Sequence, residues 1–485
     1  MGMPVSCIPI HPWLRTIHLA FVPSAPLSGL LEESIPRLLE AFRRQGHIVQ
    51  EQPDHRTDLV LTNAPFAEPL NWRHAVLFTV RRRFGLKHTP TILTLIHVPA
   101  KTFQHWLDHF ERALRKSPPD PKDFSFPGLA EDAWKTLLEQ GQRGGPLLAL
   151  QRMLQAQAKS IRILLLVGDE KPIEAYHFDL VGGYPRSDGS SPEEFYRDIV
   201  LRQVTALSTH EVTQHQVVEP PISAETWRSL STPAAMIHAA RELGKRNFFT
   251  PTVYINRLVH VPAISDVVAD QYSEGCFATW EPALQALIST VTGSARPVDK
   301  DSITEDELAV IIGIRPDGQG ALVRHVQGKR NDPPSSEAVE LMLMDADLPR
   351  LRLENGTEAP VIRSKLHGHR GVKAYDPRFV EFVPLDDPYY HFPVTCATEA
   401  QAQGIHHAFS RAQALRNPED PRQVVFTILP GHGVVMAEKW QKDKAPFQLF
   451  WEYMDAGYLQ IDSRVPQGLF HFDAEGRLVD DFSPR

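Results

Sequence analysis

The chain alternates between short apolar runs and stretches whose apolar residues recur every three or four positions, the two periods that separate buried strands from amphipathic helices. TIHLAFVP, from Thr16 to Pro23, reads as a buried strand. GLLEESIPRLLEAFRRQG follows with its apolar positions on one helical stripe and closes at Gly46, a residue type that ends helices at little steric cost. DLVLTNA from Asp58 and TPTILTLIHV from Thr89 predict further strands, with a helix over Trp72 to Phe84 between them. Strands that alternate with helices imply a parallel sheet covered on both faces. The Pro-rich stretch KSPPDPKDFSFPG interrupts this pattern and leads to helices through Ala158, so residues 1–160 are expected to form a first Rossmann-like α/β domain.

SIRILLLVGDE opens what reads as a second unit with another apolar strand. PEEFYRDIVLRQVTALST has helical periodicity, entered through Ser191-Pro192, and STPAAMIHAARELGK is helical again. EVTQHQVVEP is strand-like, and EPALQALISTVTG predicts a helix closed near Gly293, which makes residues 161–297 a second α/β unit by pattern. After Arg296-Pro297 the texture turns to short β segments, ELAVIIGIRPDGQGALVRHVQG, LRLENGTEAPVIRSKL and RQVVFTILPGHGVVMAEKW, with Asn355-Gly356 as the tight turn of a hairpin. The expected fold class is therefore α/β, two Rossmann-like parallel-sheet domains followed by a β-rich, barrel-like C-terminal domain over 298–485. One helix, within Thr395 to Asn417, is inserted into the last domain.

Composition narrows the function classes. A chain of 485 residues exceeds one compact core, and 42% hydrophobic with 23% charged residues is the balance of a fully folded globular protein. A net charge of −8 argues against a broad nucleic-acid surface. The basic stretch from Trp72 to His88 reads as a helix packed on the first sheet, its arginines solvated or paired with an acidic neighbouring subunit. Cys7, Cys276 and Cys396 are widely separated and show no C-x-x-C spacing, so neither a disulfide scaffold nor a structural zinc site is expected, and a reducing cytoplasm fits. No apolar run approaches the roughly 20 residues that span a bilayer. MGMPVSCIPIHPW lacks a charged leader and a continuous apolar stretch. With no G-x-G-x-x-G pattern and no Walker lysine, the expected partners are a small molecule and further copies of the same chain, with neither nucleic acid nor membrane.

Histidines carry the chemistry. His406 and His407 sit side by side on the inserted helix, about 100° apart around its axis, so one imidazole can face an ion while the other touches substrate. Their plainer role is to bond solvent or carbonyls on a partly exposed helix. HGHRG, from His367 to Gly371, places two imidazoles on one side of an extended segment, with glycines that give backbone access, and makes His369 a candidate for a metal or an anionic sugar. A polar loop with its histidines in water is the alternative. LPGHGVV delivers His432 on a turn after an apolar strand. YHFDLVGGYPRSDGS places His177 and Arg186 beyond a strand, where open parallel sheets bind ligands such as a sugar or phosphate. Cys276, near Glu274, reads as a nucleophile or, more plainly, as a small buried hydrophobe.

Gly404-Ile405-His406-His407, followed by Ser410, resembles the Gly-x-His-His stretch near the end of L-arabinose isomerases. The order of two α/β blocks and a β-rich block resembles the L-fucose and L-arabinose isomerase superfamily, and YSEGCFATWEPALQALISTVTG is similar to the central-domain segment of its fucose-isomerase-like members. The resemblance implies a manganese-type divalent ion held by His407 and Glu274, with His406 beside the sugar, and interconversion of an aldose and a ketose by proton or hydride movement between adjacent carbons. Such an ion stabilises the negative charge of an enediolate, and Glu274 and Glu281 become the candidate catalytic carboxylates. A carboxylate at a helix start is more plainly a cap. Two other readings stay open: a catalytically silent carbohydrate-binding or scaffold relative, and metal-assisted aldol cleavage.

Overall fold

The computed structural model describes residues 16–63, 91–114, 161–170, 173–178, 183–187, 191–212, 215–250, 253–254, 271–293, 295–316, 318, 320–386, 399–429, 432–462 and 469–482. The helix expected over Trp72 to Phe84 and those leading to Ala158 lie outside the described residues.

The first sheet contains β1 (His18–Phe21), β2 (Ile48–Gln50), β3 (Leu59–Asn63), β4 (Thr91–Val98), β5 (Ile161–Val167), β6 (Glu174–Phe178) and β7 (Gly183–Ser187), in the order β2-β1-β3-β4-β5-β6-β7. Its first five members are parallel, and β6 and β7 extend it as antiparallel strands. Helix α1 (Leu30–Arg44) turns Leu31, Ile35, Leu38 and Phe42 onto this sheet, a stripe spaced by four, three and four residues. These side chains pack with Leu19, Leu61, Leu93 and Leu164, and with Phe195 and Ile199 of α3 (Pro192–Val212). A further helix, α2 (Ala100–Leu114), follows β4.

The boundary expected after residue 160 falls inside this sheet, because β5 pairs with β4 in parallel. Leu164, Leu165 and Leu166 are all buried, and consecutive strand residues point to opposite faces, so only an interior strand can bury all three.

Among the described residues no second Rossmann-like sheet follows. Its place is taken by a nine-stranded sheet of β8 (Gln216–Val217), β9 (Cys276–Glu281), β10 (Ala286–Thr290), β11 (Leu308–Ile314), β12 (Ala321–Arg324), β13 (Ile362–Gly368), β14 (Val380–Phe382), β15 (Val424–Leu429) and β16 (Gly433–Lys439). The order is β14-β15-β16-β13-β9-β10-β11-β12-β8, and every pairing is antiparallel except the two at the edges. The segment expected as a helix near Gly293 is instead the turn after β9 and strand β10. Residues Ala286 to Thr290 are buried on both sides, and a short apolar run of that kind has no period that separates strand from helix.

Alternate side chains divide this sheet into two packed faces. Phe277, Leu366, Val434 and Met436 meet Met236 and Leu243 of α4 (Thr232–Lys245), in a cluster that also holds Leu449 and Phe450 of α7 (Gln448–Asp455). Cys276, Ala278, Val435 and Ala437 face the other way, with Leu341 of α5 (Ala338–Leu343) and Ile405 and Phe409 of α6 (Glu399–Arg411). Lys365 fastens α5 to β13: its buried ammonium donates to the Leu341 carbonyl and lies 2.9 Å from Asp345 Oδ2. On the hairpin Arg350–Arg352 with Glu358–Pro360, the Asn355-Gly356 turn forms as the pattern implied, and Gly356 takes a φ of +81°.

Glu438 of β16 organises the opposite face. Its carboxylate accepts from the Phe447 N–H at 2.9 Å, the Leu449 N–H at 3.0 Å and the Ser364 hydroxyl at 3.1 Å, satisfying donors at the start of α7.

Candidate metal centre

Three neighbouring strands converge at one end of the second sheet. The register sets His367, near the end of β13, opposite Cys276 of β9 and Val435 of β16, so its imidazole points to the face covered by α5 and α6. His369 lies just beyond β13, and His432 lies in the turn that joins β15 to β16. The glycines beside them are required by close approach. A Cβ on Gly433 would lie 2.0 Å from the Gly368 carbonyl oxygen, and one on Gly368 would lie 2.5 Å from the Phe248 ring.

That approach brings the three imidazoles together, with ring centroids 4.6 Å apart for His367 and His432, 4.8 Å for His369 and His432, and 5.2 Å for His367 and His369. Glu337, the residue immediately before α5, completes the group. Its Oε1 stands 3.4 Å from His367 Nε2 and 3.8 Å from His432 Nε2. One nitrogen or oxygen from each of Glu337, His367, His369 and His432 lies within 4.8 Å of the others, a small contraction away from the roughly 3.4 Å edges of a tetrahedral ion at 2.1 Å.

Each imidazole is held at Nδ1 by a different protein group. His367 Nδ1 donates to the Val434 carbonyl at 3.0 Å. His432 Nδ1 meets the Gln401 side-chain amide at 3.0 Å, and the amide orientation that presents oxygen to Nδ1–H leaves the lone pair on Nε2. His369 Nδ1 lies 3.4 Å from Glu274 Oε2, which in turn accepts from the Thr250 hydroxyl at 2.8 Å. The Nε2 atoms of His367 and His432 are buried and have no hydrogen-bond partner among the described residues. Imidazoles braced on one nitrogen with the other turned to a common point are the arrangement that metal-ligating histidines adopt.

Burial lowers the His367 pKa, with Glu337 pulling against it, and burial reinforced by the charges of His367 and His369 lowers that of His432 far more. The His432 ring is therefore neutral at neutral pH, the form that binds metal, while His367 shares its charge balance with Glu337. Burial opposes ionisation of Glu337, but the His367 charge and the Cys276 thiol outweigh it and hold the carboxyl below its ordinary range. Burial, and then the Glu337 charge, keep the Cys276 thiol protonated. This buried group can hold a metal ion.

Among the residues singled out from the sequence, His369 and His432 belong to the group and Glu274 stands against it. His406 and His407 do not join it. His406 ties α6 to α5, with Nδ1 donating to the Leu343 carbonyl at 2.8 Å and Nε2 lying 3.0 Å from Asp347 Oδ2. His407 is half exposed and faces Asp386 at 4.0 Å. Glu281, at the other end of β9 from Glu274, accepts from Thr232 Oγ1 at 2.6 Å and from the Ala283 N–H at 2.8 Å. His177 is buried in the first sheet, 3.3 Å from Gln203 of α3. Arg186 lies on β7, its side chain outside the described residues. His367 was visible in the sequence as the partner of His369 in HGHRG, whereas nothing in PPSSEAVE marked Glu337.

His406→Ala is expected to lower stability by about 1–2 kcal/mol, through lost hydrogen bonds between α5 and α6, and to leave the metal content unchanged. Thermal melts and elemental analysis check this; loss of the ion would place His406 in the centre. No protein-family model matches the chain, and no curated protein matches it either. Among the described residues no helix is long and apolar enough to cross a membrane.

Proposed function

We propose that the chain is a divalent-metal enzyme acting on an α-hydroxycarbonyl compound of the sugar class, and that it cleaves or forms the bond between the carbons α and β to the carbonyl. The reading rests on one observation, the buried group of three imidazoles and one carboxylate. An ion of the zinc or manganese type would supply Lewis acidity toward the carbonyl oxygen. Neutral imidazoles leave most of its positive charge in place, so this donor set favours a reaction that builds negative charge beside the ion. Aldol cleavage is such a reaction: a base removes the β-hydroxyl proton, the carbon–carbon bond breaks, and its electron pair passes to the α-carbon and carbonyl as an enediolate. A proton then returns to carbon. Glu274, buried beside His369 and braced by Thr250, is the residue assigned to carry it.

Aldose–ketose isomerisation is the second reading. It passes through the same enediolate, and Glu274, which the isomerase resemblance singled out, does stand beside the histidines. A cytoplasmic, homo-oligomeric protein belongs to the same proposal, with the sparse, scattered cysteines as support for the compartment. The test is elemental analysis of the purified chain, followed by mass spectrometry of ketoses, aldoses and their phosphates after incubation. Stoichiometric metal and two shorter carbonyl products are expected. A product of unchanged mass would favour isomerisation, and an intact fold without metal would leave the carbohydrate-binding or scaffold alternative.

A further inference from the structure

The carboxylate of Glu337 is gripped on one side. Strand register sets Cys276 directly opposite His367, on the same face of the sheet, and the fully buried thiol donates to Glu337 Oε2 at 2.9 Å. Ser335 Oγ donates to the same oxygen at 3.3 Å. The other oxygen, Oε1, is the one that faces the partnerless Nε2 atoms of His367 and His432. Without these donors a carboxylate can rotate to bind an ion through either oxygen or through both. With them, one oxygen is engaged by the protein and one remains for the ion. A thiol so near a metal centre would also make a soft ligand, but this one spends its proton on the carboxylate rather than turning sulfur to the histidines.

We infer that Cys276 is the positioning residue of the metal centre, fixing Glu337 Oε2 so that only Oε1 reaches the ion while the sulfur itself stays out of the coordination shell. The inference rests on the metal reading of the histidine group and goes beyond it, because it sets which ion the group prefers. Three nitrogens and a single oxygen suit an ion content with four ligands, such as zinc or cobalt(II), over manganese(II), which favours more oxygen donors. Cys276 is in that sense a determinant of metal choice.

The test titrates the metal-free full chain with cobalt(II) and with manganese(II), following cobalt by absorption spectroscopy. The wild type is expected to bind cobalt(II) more tightly than manganese(II), with the visible bands of a four-coordinate ion and no sulfur-to-cobalt charge-transfer band in the near ultraviolet. Cys276→Ala is expected to weaken cobalt(II) binding by about 10–100-fold, the usual cost of removing a group that orients a ligand, and to narrow the preference over manganese(II). Cys276→Ser, which keeps a donor and nearly the same volume, should recover most of that loss, a rescue that a packing role alone would not produce. A charge-transfer band in the wild type would overturn the inference by making sulfur a ligand, as would a Cys276→Ala affinity within about two-fold of wild type, well short of that cost. A wild type that binds neither ion would remove the metal reading itself, which separates the two failures.

Discussion

His432→Ala is expected to abolish stoichiometric metal binding and to reduce kcat/KM by at least about 1,000-fold, equivalent to roughly 4 kcal/mol of transition-state stabilisation. His432 is fully buried between β15 and β16, and among the described residues its Nε2 has no hydrogen-bond partner, which leaves it turned to Glu337 Oε1 and the other imidazoles. Removing one of four ligands also leaves the remaining two imidazoles and the carboxylate with a gap that water can fill only by loosening the set. The variant is nevertheless expected to fold. The truncation costs about 1–3 kcal/mol for the cavity it leaves, and it removes a buried nitrogen that lacks a partner in the metal-free protein. Thermal melts with and without added zinc separate folding from ligation. An ion at 100 times its Kd should raise wild-type stability by about 2.7 kcal/mol and leave His432→Ala unmoved. Stoichiometric, stabilising metal in the variant would show that the ion sits elsewhere.

The second large effect concerns stability and pH. Glu438 lies on the opposite face of the same sheet, and burial raises its pKa to about 7, against the pull of the Phe447 N–H and the Ser364 hydroxyl. Between its ordinary value of 4.5 and about 7 the folded chain holds this proton and the unfolded chain does not. Stability contributed by the group is therefore complete below 4.5, falls as pH rises through 7, and is level above it, a change of order 3 kcal/mol. Urea denaturation of the wild type and Glu438→Gln at pH 5 and pH 8 measures it. Glutamine keeps one acceptor oxygen for the start of α7 but does not titrate, so the variant should lack this part of the decline. Taking the difference between the two proteins cancels the opposite slope of the buried histidines, whose pKa values are lowered. Parallel pH profiles would show that Glu438 does not change its protonation over this range.

Legibility of the site followed the range of the interactions that make it. His369 and His432 were readable because each lies in a Gly-rich turn next to an apolar strand, a purely local signal. His406 and His407 drew attention because they are adjacent. On a helix adjacency spreads side chains around the axis, and His406 is used to join α6 to α5. Glu337 was silent because a carboxylate before a short helix is ordinary, and its importance comes only from the strands it meets. Glu281, equal to Glu274 on chemical grounds, is separated from it by the length of β9 and anchors the start of α4 through Thr232.

The sequence by itself determined strands β1, β3, β4 and β5, the amphipathic stripe of α1, the Asn355-Gly356 hairpin and the glycines that admit close backbone approach, since each depends on periodicity or on φ within a few residues, whereas β6 and β7, read from the sequence as a loop, are strands of the first sheet. Only the tertiary structure decided that β5 joins the first sheet, that the segment after β9 is a strand, and that Glu337 meets His367, His369 and His432. Those outcomes depend on which strands pair and in what register. A slip of one residue would turn His367 to the other face of β13, so the centre exists through a ladder of non-local hydrogen bonds that no local pattern encodes.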